Sequence, residues 1–93
     1  MSDVVTDNPA RSRYELALED GIAFIDYQRI GRLFVLMHAE VPPALRGRGI
    51  GARLTAGALE LVRTHGGSVE VRCPYVAQFI ARNAQYQDLL VQP

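Results

Sequence analysis

Two short clusters hold most of the chemistry this chain can offer. The first is Arg46-Gly47-Arg48-Gly49-Ile50-Gly51, with three glycines at alternate positions and two guanidinium groups among them. Glycines strip Cβ atoms from a loop and let its N–H groups turn inward. A helix opening just after it adds unpaired N–H groups and the positive end of its dipole. The occupant such a loop suits is a phosphate or pyrophosphate, with the arginines supplying charge and multiple donors. A tight strand-to-helix turn with solvated arginines would read the same way. The second cluster is His38, Glu40 and Cys73. His38 and Glu40 stand at i, i+2 on a strand pattern, so they share a face and suit proton abstraction; the same residues read equally as a structural histidine and a strand-edge carboxylate paired to Arg46 or Arg48. Cys73 precedes Pro74 at a strand-to-helix junction, where a helix dipole favours thiolate, although a lone cysteine serves equally as a small buried hydrophobe.

Composition narrows the chemistry. All ten basic residues are arginine, balanced by ten acidic ones for a net charge of zero. Without lysine there is no Walker P-loop and no Schiff base. The balanced charge argues against bulk attraction to nucleic acid or membrane. A single cysteine makes neither an internal disulfide nor a multi-cysteine zinc site, and no metal site is expected. No apolar run reaches 18 residues, and residues 1–11 lack a signal-peptide core, so a cytoplasmic location is expected. The loop spacing is Gly-x-Gly-x-Gly rather than the dinucleotide pattern Gly-x-Gly-x-x-Gly, which disfavours a Rossmann reading.

The elements that must position these clusters can be traced by period. Residues 1–12 are polar with no lasting period and are expected to be a disordered tail ahead of one domain over 13–93. Residues 13–19 alternate as a half-buried strand, and Asp20-Gly21 predicts a type I′ hairpin turn into a partner strand over 22–28. Residues 32–41 are apolar on both faces at first (Leu33, Phe34, Val35, Leu36), which predicts a strand central in the sheet. Farther along, Met37, Ala39 and Val41 fall on one face and His38 and Glu40 on the other. Pro42-Pro43 stops the strand. Leu54, Ala58, Leu61 and Val62 then recur at helical spacing, closed by Gly66-Gly67. A short strand over 68–72 precedes a helix begun at Pro74, carrying Val76, Phe79 and Ile80 on its apolar side. Tyr86 to Val91 reads as a final packed turn or short strand. The order is β-β-β-α-β-α, an antiparallel meander followed by a helix–strand–helix unit.

With the elements in place, the chain resembles the Gcn5-related N-acetyltransferases. The residues that carry the likeness are Glu40-Val41-Pro42 and then Arg46-x-x-Gly49-x-Gly51 opening a helix. With His38-Ala39 before them and Val71-Arg72-Cys73-Pro74-Tyr75-Val76 after, the likeness extends to the small single-domain, NATD-like branch. A threonine often follows the histidine in that branch, where this chain has Ala39. The resemblance implies an α+β fold of three α/β layers, whose mixed central sheet splays at an acetyl-CoA site. It implies acetyl-CoA as cosubstrate, held through Val41, Arg46, Gly47, Arg48, Gly49, Ile50, Gly51 and Ala52. The pantetheine arm would lie between the strands over 32–41 and 68–72, with Glu40, His38 and Cys73 near the thioester. The expected activity is acetyl transfer to an unidentified amine, either directly or through an acetyl-Cys73 intermediate. The rival expectation is a non-catalytic CoA-binding module acting as a sensor or partner subunit. A monomer or weak dimer is expected. Tyr86 is a candidate proton donor to the leaving thiolate or a core residue, while Tyr75 and Phe79 read as helix-face packing.

Overall fold

The computed structural model describes residues 4–91. Five strands form one sheet in chain order: β1 (Thr6–Asn8), β2 (Arg13–Leu18), β3 (Gly21–Ile30), β4 (Leu33–Glu40) and β5 (Ser68–Val71). The first four run antiparallel, and β5 lies parallel to β4. Helix α1 (Ile50–Thr64) makes the crossover between β4 and β5, and α2 (Pro74–Arg82) follows β5. A 3₁₀ segment, Ala84–Leu89, returns the chain to the β5 edge, where the Val91 N–H donates to the Val69 carbonyl.

Two expectations need correction. Within the described residues, the segment expected to be a disordered tail contributes β1, paired in register Thr6↔Glu15 to Asn8↔Arg13. It is anchored by Val5, only 8 % exposed, whose side chain packs onto Gly57 of α1, and by the Tyr27 hydroxyl donating to Asp7 Oδ1 at 2.6 Å. Residues 1–3 lie outside the described residues. A single buried valine and one cross-chain hydrogen bond leave no period in a polar stretch, so periodicity does not reveal the strand. The β2–β3 hairpin is displaced by one residue from the expected turn. Leu18 pairs with Gly21, Glu19 and Asp20 form the loop, and neither has positive φ, so the turn is not type I′. The sheet carries both helices on one face. Tyr14, Leu16, Ala23, Ile25, Phe34, Leu36 and Val69 join Leu54, Leu59 and Val62 of α1 and Val76 and Ile80 of α2 in one core cluster. The molecule measures 39 × 29 × 19 Å.

One irregularity in the sheet sets up the site. Asp26 pairs with His38 but Tyr27 pairs with Leu36, so Met37 is an extra residue bulged out of β4. Alternation along a strand would otherwise send His38 to the same face as Leu36. The bulge resets the phase. Leu36 and Ala39 both face the core, whereas His38 and Glu40 face the open side. The apolar spacing in the sequence already carries this slip, with three steps from Leu36 to Ala39 where a regular strand takes two.

Candidate functional site

β4 and β5 stay together for four residues and then part. Their register runs Leu33↔Ser68 to Leu36↔Val71, and the ladder closes with the Arg72 N–H donating to the Leu36 carbonyl at 2.9 Å. Beyond that point Met37 bulges on one strand, and Pro74 turns the other into α2. The chain between β4 and α1 folds across the opening as a single 3₁₀ turn, Pro43–Leu45. Between these elements lies a cavity of about 440 Å³, inside the roughly 300–1,000 Å³ common for small-molecule sites.

Its walls include consecutive residues of β4: His38, Ala39, Glu40 and Val41. Ala39 faces the core and His38 and Glu40 the open side, so residues of both faces border the cavity. On the helix side its wall continues through Leu45, Ile50 and Leu54, and then the loop residues Arg46, Gly47, Gly49 and Gly51.

The glycine loop holds two backbone conformations that side-chain-bearing residues rarely adopt. Gly47 has φ +81 and Gly49 φ +72, and Gly49 is the N-cap of α1. Among the described residues no side chain caps that helix, which leaves the first-turn N–H groups of Ile50, Gly51 and Ala52 facing outward at the positive end of its dipole. Gly51 is needed for space. A Cβ there would come within 2.6 Å of the Tyr75 hydroxyl, because Tyr75 of α2 reaches across to the start of α1. The arginines differ. Arg46 Nε donates to the Val41 carbonyl at 3.0 Å, tying the loop to the end of β4. Arg48 points away, into a loose ion pair with Asp20 at 3.8 Å, beside a second hollow that Arg53 also lines.

The structure therefore gathers His38, Glu40, Val41, Arg46, Gly47, Gly49, Ile50 and Gly51 on one cavity and leaves Arg48, Ala52 and Cys73 off its wall. Cys73 is the N-cap of α2, only 6 % exposed and packed in the core cluster. His38 and Glu40 are both exposed. Among the described residues neither Arg46 nor Arg48 pairs with Glu40.

Tyr86 takes the core role of its two alternatives, and Tyr75 is not the packing residue expected. Tyr86 is buried against Phe79, ring centroids 5.9 Å apart, and its phenol is raised first by burial and then by Glu60. Tyr75, expected to be packing, is 46 % exposed and lines the cavity. The signal for Tyr75 is its place one step after a helix-opening proline, at the end nearest the strand gap. Spacing along the chain says nothing of its approach to Gly51.

A mixed sheet whose parallel pair opens over an uncapped, glycine-led helix defines an acetyltransferase-like domain, and the chain belongs to the GCN5-related N-acetyl-transferase family, which residues 13–89 match. Over 62 residues it is 39% identical to Protein NATD1 of Bos taurus and 36% identical to Protein NATD1 of Homo sapiens. In each case the match covers 66% of this chain and 55% of the relative, so the chain spans about half the length of those proteins. Its fold is also that of a GCN5-like putative N-acetyltransferase from Staphylococcus aureus solved in solution. The TM-score is 0.72 at 20% identity, covering 100% of this chain and 93% of that one.

Proposed function

We propose that this domain binds acetyl-CoA in the β4–β5 gap and transfers the acetyl group to an amine. The observation that carries the reading is a single cavity lined both by the start of the uncapped helix α1 and by His38 and Glu40. The donor set fits the ligand. First-turn N–H groups of α1 and the open backbone at Gly47 and Gly49 suit a pyrophosphate, and the cut-short edge of β4 offers main-chain partners to an amide-bearing arm. Acetyl-CoA supplies an activated thioester. Everything else falls to this chain's side chains.

Arg46, fixed to the Val41 carbonyl, presents its remaining guanidinium N–H groups at the loop's rim. His38 and Glu40 stand where an amine arriving from the open face would lose its proton. The Tyr75 hydroxyl, lying against the start of α1, is placed to contact the cosubstrate at its pyrophosphate end. With Cys73 in the core, direct attack by the amine is the better-supported route, held together by proximity in a ternary complex. Isothermal calorimetry with acetyl-CoA tests the binding. One-to-one binding in the micromolar range is expected, and no heat up to high micromolar ligand from folded protein would refute it.

A second reading has one observation in its favour. Among the described residues no element covers the open face beside His38 and Glu40, so an acceptor has little enclosure. A CoA-binding module without catalysis would show acetyl-CoA binding and no amine-dependent release of free thiol across an amine panel.

A further inference from the structure

The open face of the sheet carries a charge pattern that the cosubstrate reading leaves unused. Strand register places its side chains in two rows. Arg13, Asp26 and His38 lie side by side across β2, β3 and β4, and Glu15, Phe24 and Glu40 form the next row. That these share one face is borne out by the Arg13 guanidinium, which lies 4.4 Å over the Phe24 ring. Most charges there are cancelled locally. Arg13 Nε reaches Glu15 Oε2 at 2.6 Å, which holds the Glu15 carboxyl below its usual range, and Arg72 Nε reaches Glu70 Oε2 at 2.7 Å. Two carboxylates are left over. Among the described residues neither Asp26 nor Glu40 joins an ion pair. They flank His38, Asp26 directly opposite it and Glu40 two residues on, so they are diagonal neighbours about 7–8 Å apart. Glu40 and His38 also line the cavity.

We propose that this Asp26–His38–Glu40 corner is the acceptor site, and that it takes a primary amine carrying a second positive charge one short alkyl chain away. As an acceptor assignment it rests on the acetyl-transfer reading, while the binding surface stands on register and charge. One ammonium sits at Glu40 and His38 at the mouth of the gap, and the second sits at Asp26. At the mouth, the first ammonium gives its proton to His38 or Glu40, and its nitrogen attacks the thioester carbonyl carbon. The new C–N bond forms, the C–S bond breaks, and the thiolate leaves to take up a proton. The second ammonium keeps its charge throughout and serves only to hold the acceptor. A neutral or singly charged amine would use half of the corner.

The test is an NMR titration of the isotope-labelled domain with 1,4-diaminobutane and with butylamine, run with and without acetyl-CoA. The diamine is expected to bind roughly three- to fivefold more tightly, the effect of one further exposed charge pair. Its shifts should centre on the amides of Phe24, Asp26, His38 and Glu40, and Asp26→Asn should abolish the preference while Asp26→Glu keeps it. The dispersion of the variant spectra reports that each is folded. Equal affinity for the two amines, a preference that survives Asp26→Asn, or shifts clustered on another surface would overturn the proposal. The titrations without acetyl-CoA read this face alone, so a failure of acetyl-CoA binding would refute the transfer reading and leave the amine result standing.

Discussion

Gly49 and Gly51 look alike in the sequence and are required for different reasons. Gly49 holds φ +72 in open space, so Gly49→Ala is strained by its backbone, at a cost of about 1–2 kcal/mol for the left-handed conformation. Gly51 has an ordinary backbone and no room, and Gly51→Ala must move Tyr75 off the cavity wall. Chemical denaturation and ligand titration separate the two. Gly49→Ala should lower the unfolding free energy. Gly51→Ala should leave stability within about 1 kcal/mol, since Tyr75 is a half-exposed side chain, and weaken acetyl-CoA binding about tenfold. The glycine spacing alone makes the loop legible. The partner that fixes Gly51 is not legible in it, because Tyr75 lies a strand and a helix away along the chain. Cys73 shows the converse: its sequence context suits a nucleophile, and its burial does not. Intact mass after incubation with acetyl-CoA should show no adduct. An added acetyl group that Cys73→Ser removes would establish the covalent route instead.

Among the elements, β4 is the most legible in the sequence and the most informative. Its apolar start, its stop at Pro42 and the opposed faces of Ala39 and His38 all follow from residue types. The bulge at Met37 is what makes those faces consistent with Leu36. The N-terminal strand is the element the residue pattern hides most fully. Three residues of β1 pair with the sheet, and their hold depends on Val5 lying against a glycine of α1. Gly57→Ala would place a methyl group inside the Val5 side chain and should release this strand. Hydrogen exchange is expected to accelerate at residues 6–8 and 13–15 while β3 and β4 keep their protection. Unchanged exchange at residues 6–8 would mean that β1 is held by its backbone ladder alone. The hairpin register escapes the sequence for a comparable reason. Gly21 lies beside Pro42, where a Cβ would meet the proline ring at 3.4 Å, and that neighbour is distant along the chain.

At the scale of the whole molecule, one sheet buries one face, and its inner layer is aromatic around Tyr14, Tyr27 and Phe34. Burial pushes Tyr27 up to about 12, with the hydrogen bond to Asp7 adding to it, and raises Tyr14 further. A phenol held neutral in the fold but free to ionise near pH 10 when unfolded destabilises the fold once the pH passes that value: the deprotonated form gains more from the unfolded chain, so stability is full below pH 10 and is lost as pH rises towards 12. The denaturation midpoint should therefore fall steeply between about pH 10 and about 12. Tyr27→Phe should lose about 1 kcal/mol at neutral pH and show a shallower alkaline decline. A decline as steep as in wild type would place its origin elsewhere. The family fold is legible in the loop and in the Cys-Pro-Tyr-Val segment. That the second face of the sheet carries no layer among the described residues is not, since a missing layer leaves no pattern in the residues that are present.

The central claim is that the opening between β4 and β5 receives acetyl-CoA with its pyrophosphate on the start of α1. Amide NMR of the labelled domain titrated with acetyl-CoA tests it most directly. Saturable shifts are expected at Gly47 to Ala52 and Tyr75 for the pyrophosphate and at Met37 to Glu40 for the arm. Desulfo-CoA should reproduce the first group and weaken the second near the thioester. Saturable shifts that spare Gly47 to Ala52, or none at all from a folded protein, would contradict it.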